Sequence, residues 1–589
     1  MRHYKRIGVL TVLKTSLVGL LLVLVTACGK GEKQSYINDQ YRSFPSQDLS
    51  EIQPFSSFVL ATFAEMENEE QRAASFYKEA IKQDPNNLFV AEKAFLQLIT
   101  SGMLEEASSL NATLNESDFL GPLSHLMMAV EAMKNKDAET LLLEAKIIEN
   151  TSFGYIFSPF MQAWGFAMQG DVTRAHDALD LLGESKALKG LALTQKAYIY
   201  DYLGMGENAE MAYKAVLSSG TMGSVQPIIS YADFLSRQKG SIATQDVFVK
   251  ALKDNGNNLY LLRESQRIAN GLNPSIKAAT PDGALAHLFY RMALETMRES
   301  PNLLTIIYAR IAEYFIPQND DFKLLLGDVF VRFNRFEDAA KNYNMIAENS
   351  PLKNPTFIKM INALRSAGLH EEAIDHMNKE LLKAPNNKNL HLTLADIYRE
   401  NNQCAEALPH YNKVINVQIS SAETSAYEYF SRGVCHEVLG NWEEAKIDLY
   451  KAKSITPEDP IVLNYLGYSL LIRNESLQEA LAMIEVAAEK EPENGSIIDS
   501  LGWLQYRTGD LDSALISLEK AVRLSPENPT INDHLGDVYW QVGRKREARF
   551  QWQHALVLAT EMPDQIRIKN KLAYGLQADD LPPSDMVGS

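Results

Sequence analysis

Apolar residues recur along most of this chain with the three- and four-residue spacing of amphipathic helices. The pattern is clearest over Ile461–Leu558, where it repeats after 34 residues. One copy contains Leu501-Gly502, Ala514, Leu518 and Ala521, and the next contains Leu535-Gly536, Ala548, Trp552 and Ala555. Each copy has two apolar stretches separated by turn-forming residues. We therefore predict two antiparallel helices in each copy.

The small residues at fixed positions have a packing reason. Glycine in the first helix and alanine in the second let neighbouring backbones approach closely, and the large residues between them fill the remaining space. Pro492 and Pro526 end the second helix of their copies. A single helix pair does not bury its apolar face alone, so the pairs must stack.

This arrangement resembles the tetratricopeptide repeat (TPR), in which a large residue and Leu-Gly precede two alanines and a closing proline. The resemblance implies an all-α fold, a TPR superhelical solenoid of antiparallel helix pairs. Between Pro54 and Pro563 there is room for about fifteen units.

The repeats are not equally clear along the chain. The pattern fades from Leu120 to Ala251, although helical periodicity persists there. Gly271–Gly283 contains two prolines and is either a boundary between two arrays or a long inter-helix loop. The predicted divisions are an N-terminal degenerate array over 52–272, a C-terminal array over 284–562, a capping helix over 563–576 and a disordered tail over 577–589. In the capping helix, Arg567, Lys569 and Lys571 are expected to face water.

The amino terminus has the pattern of a secretory signal. Basic residues precede an apolar core at Ser16–Ala27, which is short for a bilayer-spanning helix, although an inner-membrane anchor is the alternative. Val25–Cys28 resembles the bacterial lipobox. The resemblance implies a lipoprotein signal peptide over 1–27, a lipid (palmitate-type acyl chains) on Cys28 and a flexible tether over 28–51. Gly29 in place of aspartate favours the outer membrane, at its periplasmic face.

The charge balance limits the partners of the chain. Lysine and arginine number 57 and aspartate and glutamate 75, which gives a net charge of −18. An acidic surface argues against nucleic acid as a general partner and favours basic or polar ones. A solvated outer face is the simpler alternative.

No catalytic motif accompanies the repeats. The sequence lacks His-Glu-x-x-His, the Gly-rich phosphate loop and Gly-x-Ser-x-Gly, and its 11 histidines are scattered. We therefore predict no enzyme, no cofactor and no metal site. Cys404 and Cys435 lie in adjacent repeats, on helices that should pack together. They are either a disulfide or two small buried residues.

In TPR folds the first helices line a concave surface, and the resemblance indicates which side chains point into it. Carried onto this sequence, the inward positions are Phe430, Asn464, Tyr468, Asp499, Trp503, Tyr506, Arg507, Asp533, Asp537 and Trp540. Such amphipathic aromatics are enriched in binding hot spots, which predicts a protein-binding groove. The alternative is that some are packing residues. Asp499 and Asp533 stand where the carboxylate clamp of the family needs basic residues, so capture of a C-terminal carboxylate is not expected.

A lipobox followed by a TPR array resembles the outer-membrane TPR lipoproteins of Gram-negative bacteria. Asn464–Tyr468, Asp499–Trp503 and His534–Trp552 are similar to a subset that binds a periplasmic carboxyl-terminal processing protease and brings it cell-wall hydrolases. The resemblance implies a membrane-anchored periplasmic scaffold, an adaptor for that protease. The alternatives are a structural component of an envelope assembly or export complex, or a glycan- or peptide-binding module. The oligomeric state stays open.

Overall fold

The computed structural model describes residues 54–67, 69–114, 121–183, 188–219, 225–254, 258–418 and 425–577. In these ranges the regular structure consists of 30 α-helices and a 3₁₀ helix at Ser241–Thr244, with no strand. The predicted all-α fold is confirmed. None of the helices in these ranges has both the length and the apolar character needed to cross a membrane. The predicted signal peptide, Cys28, the tether and the tail beyond Gln577 lie outside the described residues.

The chain divides into two compact units, Met1–Met360 and Ile361–Ser589. The helices of the first unit are α1 Pro54–Met66, α2 Glu70–Gln83, α3 Leu88–Thr100, α4 Leu104–Leu114, α5 Pro122–Asn135, α6 Ala138–Ile148, α7 Gly154–Met168, α8 Val172–Gly183, α9 Lys189–Tyr202, α10 Gly206–Ser218, α11 Gln226–Lys239, α12 Gln245–Asp254, α13 Leu259–Ala269, α14 Pro281–Glu299, α15 Leu303–Phe315, α16 Asp320–Arg332 and α17 Phe336–Asn344. The division falls within α18, Lys353–Ser366. The helices of the second unit are α19 His370–Lys383, α20 Lys388–Glu400, α21 Cys404–Gln418, α22 Ala426–Val438, α23 Trp442–Ile455, α24 Pro460–Ile472, α25 Leu477–Lys490, α26 Gly495–Arg507, α27 Leu511–Leu524, α28 Pro529–Gln541, α29 Lys545–Leu558 and α30 Met562–Tyr574.

The division at residue 360 differs from the boundary that the sequence suggested at 272–284. Gly271–Gly283 connects α13 to α14 inside the first unit, which is the loop alternative. Polar contacts hold this connection. The backbone N–H and the hydroxyl of Ser275 donate to the buried carboxylate of Glu264 at 2.8 and 2.7 Å. Gln226 donates to the carbonyl of Ile276 at 3.1 Å. The glycines and prolines of this segment therefore mark a loop that hydrogen bonds hold in place, and not a boundary between two units.

Most helices pack against the next helix as antiparallel hairpins. The hairpins run consecutively from α1/α2 to α11/α12, then comprise α14/α15 and α16/α17, and run consecutively again from α20/α21 to α28/α29. Asparagine or aspartate starts many first helices, because its side chain accepts a hydrogen bond from a free backbone N–H. Asn387, Asp459, Asn494 and Asn528 cap α20, α24, α26 and α28 in this way. The helix expected at 563–576 is α30, which follows the last hairpin alone.

The Leu-Gly positions are points of close approach between the two helices of a hairpin. A Cβ at Gly502 would lie 2.7 Å from Cγ of Leu518, and one at Gly467 would lie 2.8 Å from Cγ1 of Ile484. These distances are shorter than van der Waals contact, so a larger residue would push the helices apart. The facing alanines, Ala480, Ala514 and Ala548, are fully buried.

In the first unit, α14–α17 pack back against helices near its amino-terminal end. Phe157 of α7 stacks on Phe289 of α14 at 4.9 Å between ring centroids. Tyr314 of α15 donates to Glu131 of α5 at 3.0 Å, and Arg310 donates to the carbonyl of Thr100 at 3.2 Å. The first helices α3, α5 and α7 are therefore covered by the chain itself.

Cys404 and Cys435 form a disulfide between α21 and α22, which resolves the alternative that the sequence left open. Both residues are buried in a small core with Ala395, Ala407 and Tyr411. The bridge closes a loop across a sequence separation of 31 residues. It therefore fixes two consecutive hairpins of the second unit to each other.

We expect reduction of this disulfide to destabilise the second unit by about 2–4 kcal/mol, because the open chain regains loop entropy when it unfolds. The measurement is urea unfolding with and without dithiothreitol. A Cys404→Ala/Cys435→Ala variant is the control, since its unfolding should not respond to the reductant. An unchanged midpoint for the reduced parent chain would contradict the prediction.

Candidate protein-binding cleft

The first helices α22, α24, α26 and α28 bear every residue that the sequence placed in a groove. A cleft of about 480 Å³ opens between them. Its lining includes Glu437 of α22; Asn464, Tyr465, Tyr468 and Ser469 of α24; Ser496, Asp499 and Ser500 of α26; and Asn528 and Thr530 at the start of α28. The structure thus brings Asn464, Tyr468 and Asp499 together in one cleft, and their role in protein binding stays a prediction.

The sequence analysis missed Tyr465, Ser469 and Ser500, although a signal for the cleft was present. Counted by repeat, Ser500 occupies the position of Tyr465 in the preceding unit and of His534 in the following one. A small hydroxyl side chain therefore replaces an aromatic ring at this place. The missing volume leaves room between α24 and α26, and this room is the cleft.

The charged groups of the cleft are already held by neighbours. Arg473 pairs with Glu437 at 2.6 Å, and the hydroxyl of Ser469 donates to the same carboxylate at 2.9 Å. Asp499 lies 3.0 Å from Nδ1 of His534. Burial, followed by the charge of Asp499, raises the pKa of Tyr468 to about 12, so its hydroxyl stays protonated. These contacts give the walls a fixed geometry.

Trp503 lies between two rings. Its indole stacks on His534, with 3.9 Å between ring centroids and 13° between planes, and on Tyr506 at 4.9 Å. The side chain is half-buried and packs against the cores of two neighbouring hairpins. Trp503 is thus a packing residue that keeps part of its side chain exposed.

Tyr506, Asp533 and Asp537 do not stand open in a groove but pack between helices, which is the alternative that the sequence left open, whereas Asp499 lines the cleft with little of its surface exposed. Tyr506 is fully buried, and the three aspartates are at most 6% exposed. The reason is that each first helix stacks on the next. Tyr506 enters the core formed by α27 to α30. Asp499 meets the imidazole of His534, and Asp533 and Asp537 meet the ammonium group of Lys571.

The capping helix α30 supplies two cations to Asp533 and Asp537. Nζ of Lys571 lies 2.9 Å from Asp533 and 2.7 Å from Asp537, and Arg567 also pairs with Asp533. Lys571 is 3% exposed, so the prediction that it faces water is wrong, whereas Lys569 is exposed. The helix closes the array through a buried ion-pair cluster.

The remaining predicted residues do not line the cleft. Phe430 packs edge-on against Tyr465 at 5.3 Å. Arg507 is half-buried and donates to Asn474 at 2.9 Å. Trp540 is covered on one face by Lys545, whose Nζ lies 3.9 Å from the ring centroid. Phe430 therefore supports the cleft wall, while Arg507 and Trp540 belong to neighbouring surfaces.

We expect the second unit to lose stability as the pH rises through about 6. Burial and the charge of Asp533 raise the pKa of Asp537 to about 6, against the opposing effect of Lys571. Burial lowers the pKa of His534, but Asp499, Asp533 and Asp537 together raise it above its ordinary value. Both groups bind a proton more tightly in the folded state. Their contribution is therefore full at low pH and disappears as the pH passes the folded-state pKa values.

This pH dependence is measured by urea unfolding at intervals between pH 4.5 and 7.5, for the parent chain and for Asp537→Asn. The variant should show a smaller loss over this range, because one of the two titrating groups is gone. Asp512→Asn, at an exposed position on α27, should parallel the parent chain. Identical profiles for the parent and Asp537→Asn would contradict the assignment.

Comparison with known proteins agrees with the repeat pattern. Residues 500–563 match the family model for the tetratricopeptide repeat. The TPR repeat-containing protein PA4667 of Pseudomonas aeruginosa is 27% identical over 183 residues, which is 29% of each protein. The TPR repeat-containing thioredoxin TDX of Arabidopsis thaliana is 31% identical over 96 residues, 16% of this chain and 24% of that protein. The chain thus matches less than a third of the length of either relative.

Solved structures also align with this chain. The APC/C hetero-tetramer Cut9-Hcn1 aligns over 89% of this chain and 97% of that one, with a TM-score of 0.36 and 14% identity. Yeast Tom70 aligns over 77% of this chain and 95% of its own, with a TM-score of 0.34 and 14% identity. YrrB, a TPR protein with an unusual peptide-binding site, aligns over 33% of this chain and 97% of its own, with a TM-score of 0.26 and 20% identity.

Proposed function

We propose that this chain of tetratricopeptide repeats is a membrane-anchored scaffold of the bacterial envelope, an adaptor that presents cell-wall hydrolases to a periplasmic processing protease. The cleft across α22, α24, α26 and α28 is the observation that carries the proposal. It lies on the helices that face partners in repeat proteins of this kind, and its walls combine aromatic rings with hydrogen-bonding groups. Such surfaces bind protein segments rather than perform chemistry.

The second unit is the better candidate for partner capture. In the first unit, α14 and α15 cover α3, α5 and α7, so those first helices are occupied within the chain. Around the cleft, the described residues of the second unit place no such helix over α24 and α26. A segment of another protein therefore has room to enter there.

The proposed location rests on the amino-terminal sequence and on the disulfide. Cleavage before Cys28 and acylation of its thiol would fix the chain to the outer membrane, facing the periplasm. The Cys404–Cys435 bridge is compatible with this oxidising compartment, because disulfides persist there and are rare in the cytosol. A shared tether would raise the local concentration of a protease and its substrate.

The test is capture of partners from detergent-solubilised envelopes with the full chain as bait. We expect a protease and a cell-wall hydrolase to bind the parent chain and to be lost with Tyr468→Ala, which removes a cleft wall. Tyr574→Ala is the matched control, since Tyr574 is 74% exposed on α30. Capture of secretion or assembly subunits instead would favour the structural alternative, and retention of cell-wall fragments alone would favour a glycan-binding module.

The anchoring part of the proposal has a separate test. Cys28→Ala should abolish incorporation of radiolabelled palmitate and cause the uncleaved precursor to accumulate. The precursor should still capture its partners, because the cleft is unchanged. Labelling that persists in this variant would refute the lipid anchor while leaving the scaffold role intact.

A further inference from the structure

We infer that the cleft accepts a lysine or arginine side chain from the bound protein. The inference rests on the proposed scaffold function and specifies the chemistry of the partner segment. Its basis is a ladder of equivalent positions on successive first helices. One position of the ladder lacks the hydrogen-bond donor that the others have.

The ladder consists of residues that occupy the same place in successive repeats, Asn464, Asp499 and Asp533. In two of its steps the following first helix provides a basic group. His534 of α28 meets Asp499 at 3.0 Å, and Lys571 of α30 meets Asp533 at 2.9 Å. Each buried carboxylate is therefore paired across the interface between neighbouring helices.

The step at Asn464 has no such group. The following helix, α26, offers Ser500 at the place that His534 occupies one repeat later. Within the described part of the chain, Oδ1 of Asn464 is buried and accepts no hydrogen bond. A buried acceptor without a donor is costly unless another molecule supplies one. The cleft lies at this unpaired step.

The surroundings favour a cationic donor over a neutral or anionic one. The carboxylates of Glu437 and Asp499 line the cleft, and although they are paired with Arg473 and His534, a carboxylate can accept further hydrogen bonds. Tyr465 and Tyr468 also line the cleft, and aromatic rings attract cations. The whole chain carries a charge of −18. An ammonium or guanidinium group would thus meet acceptors and aromatic faces.

The amino-terminal end of α28 is the feature of the cleft that would favour an anion. Two backbone N–H groups of its first turn are capped, because Oδ1 of Asn528 accepts hydrogen bonds from the N–H of Thr530 at 3.0 Å and of Ile531 at 3.2 Å. Arg473 is engaged with Glu437. A carboxylate or phosphate would therefore enter an acidic cleft without a donor reserved for it.

The experiment is selection of a phage-displayed random dodecapeptide library on the detergent-solubilised full chain. We expect the enriched peptides to share a lysine or arginine. Fluorescence anisotropy with the enriched peptides then gives their dissociation constants. An acidic or purely apolar consensus would overturn the inference, as would enrichment of no peptide.

Variants at the unpaired step make the test specific. Asn464→Lys places an ammonium group in the cleft and should weaken binding about tenfold or more, whereas Asn464→Asp should retain or strengthen it. Gln478→Lys adds the same charge at an exposed position of α25 and should change binding less than about twofold. Melting curves check that each variant folds. Equal weakening by Asn464→Lys and Gln478→Lys would mean non-specific attraction and refute the inference.

The outcome is distinguishable from failure of the proposed function. If envelope partners are captured and lost with Tyr468→Ala, but the selected peptides contain no basic residue, the scaffold stands and the assigned chemistry falls. If basic peptides bind and respond to Asn464→Lys while no protease or hydrolase is captured, the cleft chemistry stands and the adaptor role falls.

Discussion

Replacing Lys571 with alanine is expected to lower the free energy of unfolding of the second unit by about 3–5 kcal/mol. The ammonium group is buried and hydrogen-bonds to Asp533 at 2.9 Å and to both oxygens of Asp537 at 2.8 and 2.7 Å. Without it, the hydrogen-bond donor that the described residues leave to Asp537 is the indole N–H of Trp552, at 2.8 Å. Loss of the counter-charge destabilises the folded state far more when the carboxylate is buried than when it is exposed to water.

The measurement is urea unfolding of the full chain at neutral pH. Lys569→Ala is the matched control on the same helix, because Lys569 is exposed, and it should change stability by less than about 0.5 kcal/mol. The loss in Lys571→Ala should shrink below pH 6, since the pKa of Asp537 is raised to about 6 and its protonated form needs no cation. Equal losses of stability in the two alanine variants would show that the ion pairs of Lys571 do not hold α30 against the array.

The helix pairs were predictable because their signals are local. Alanine and glycine at fixed offsets, such as Gly502 facing Leu518, report contacts within one hairpin, and the closing prolines set the hairpin length. The caps at Asn494 and Asn528 depend on the next three residues alone. A single repeat therefore contains the information for its own structure.

The burial of Tyr506 and Lys571 was not predictable in this way. Tyr506 is covered because the helices that follow α26 stack upon it. Lys571 is covered because its own helix, α30, packs against α28. The sequence pattern gives inward positions for an average repeat and does not show how closely neighbouring first helices approach. The cleft itself depends on such a detail, the serine at position 500.

The organisation of the first unit is even less predictable from local sequence. Arg310 contacts Thr100 across a separation of 210 residues, and Arg335 pairs with Glu70 across 265. No periodicity encodes contacts of this range. The same contacts explain why the unit extends to residue 360, whereas the proline-rich loop at 272–284 had suggested an earlier boundary.

Trp164→Ala is expected to destabilise the first unit by about 3–5 kcal/mol, the range for removing a buried tryptophan side chain. Trp164 lies on α7, in the part of the chain where the repeat pattern fades, and it is fully buried. Its indole N–H donates to Gln195 of α9 at 3.0 Å, so one side chain joins two consecutive first helices. The variant would leave both a cavity and an unpaired amide.

The measurement is hydrogen exchange of peptides from α7 and α9 under increasing urea, which reports the first unit separately from the second. Trp164→Phe separates the two causes, because it keeps most of the volume and loses the hydrogen bond. It should cost less than the alanine variant. Tyr155→Ala, at a 66% exposed position of the same helix, is the control and should leave exchange unchanged. If the core is continuous, loss of the Trp164 side chain should reduce protection in both hairpins that it contacts. Parent-like protection in Trp164→Ala would therefore mean that the degenerate repeats between residues 120 and 251 do not share a continuous core.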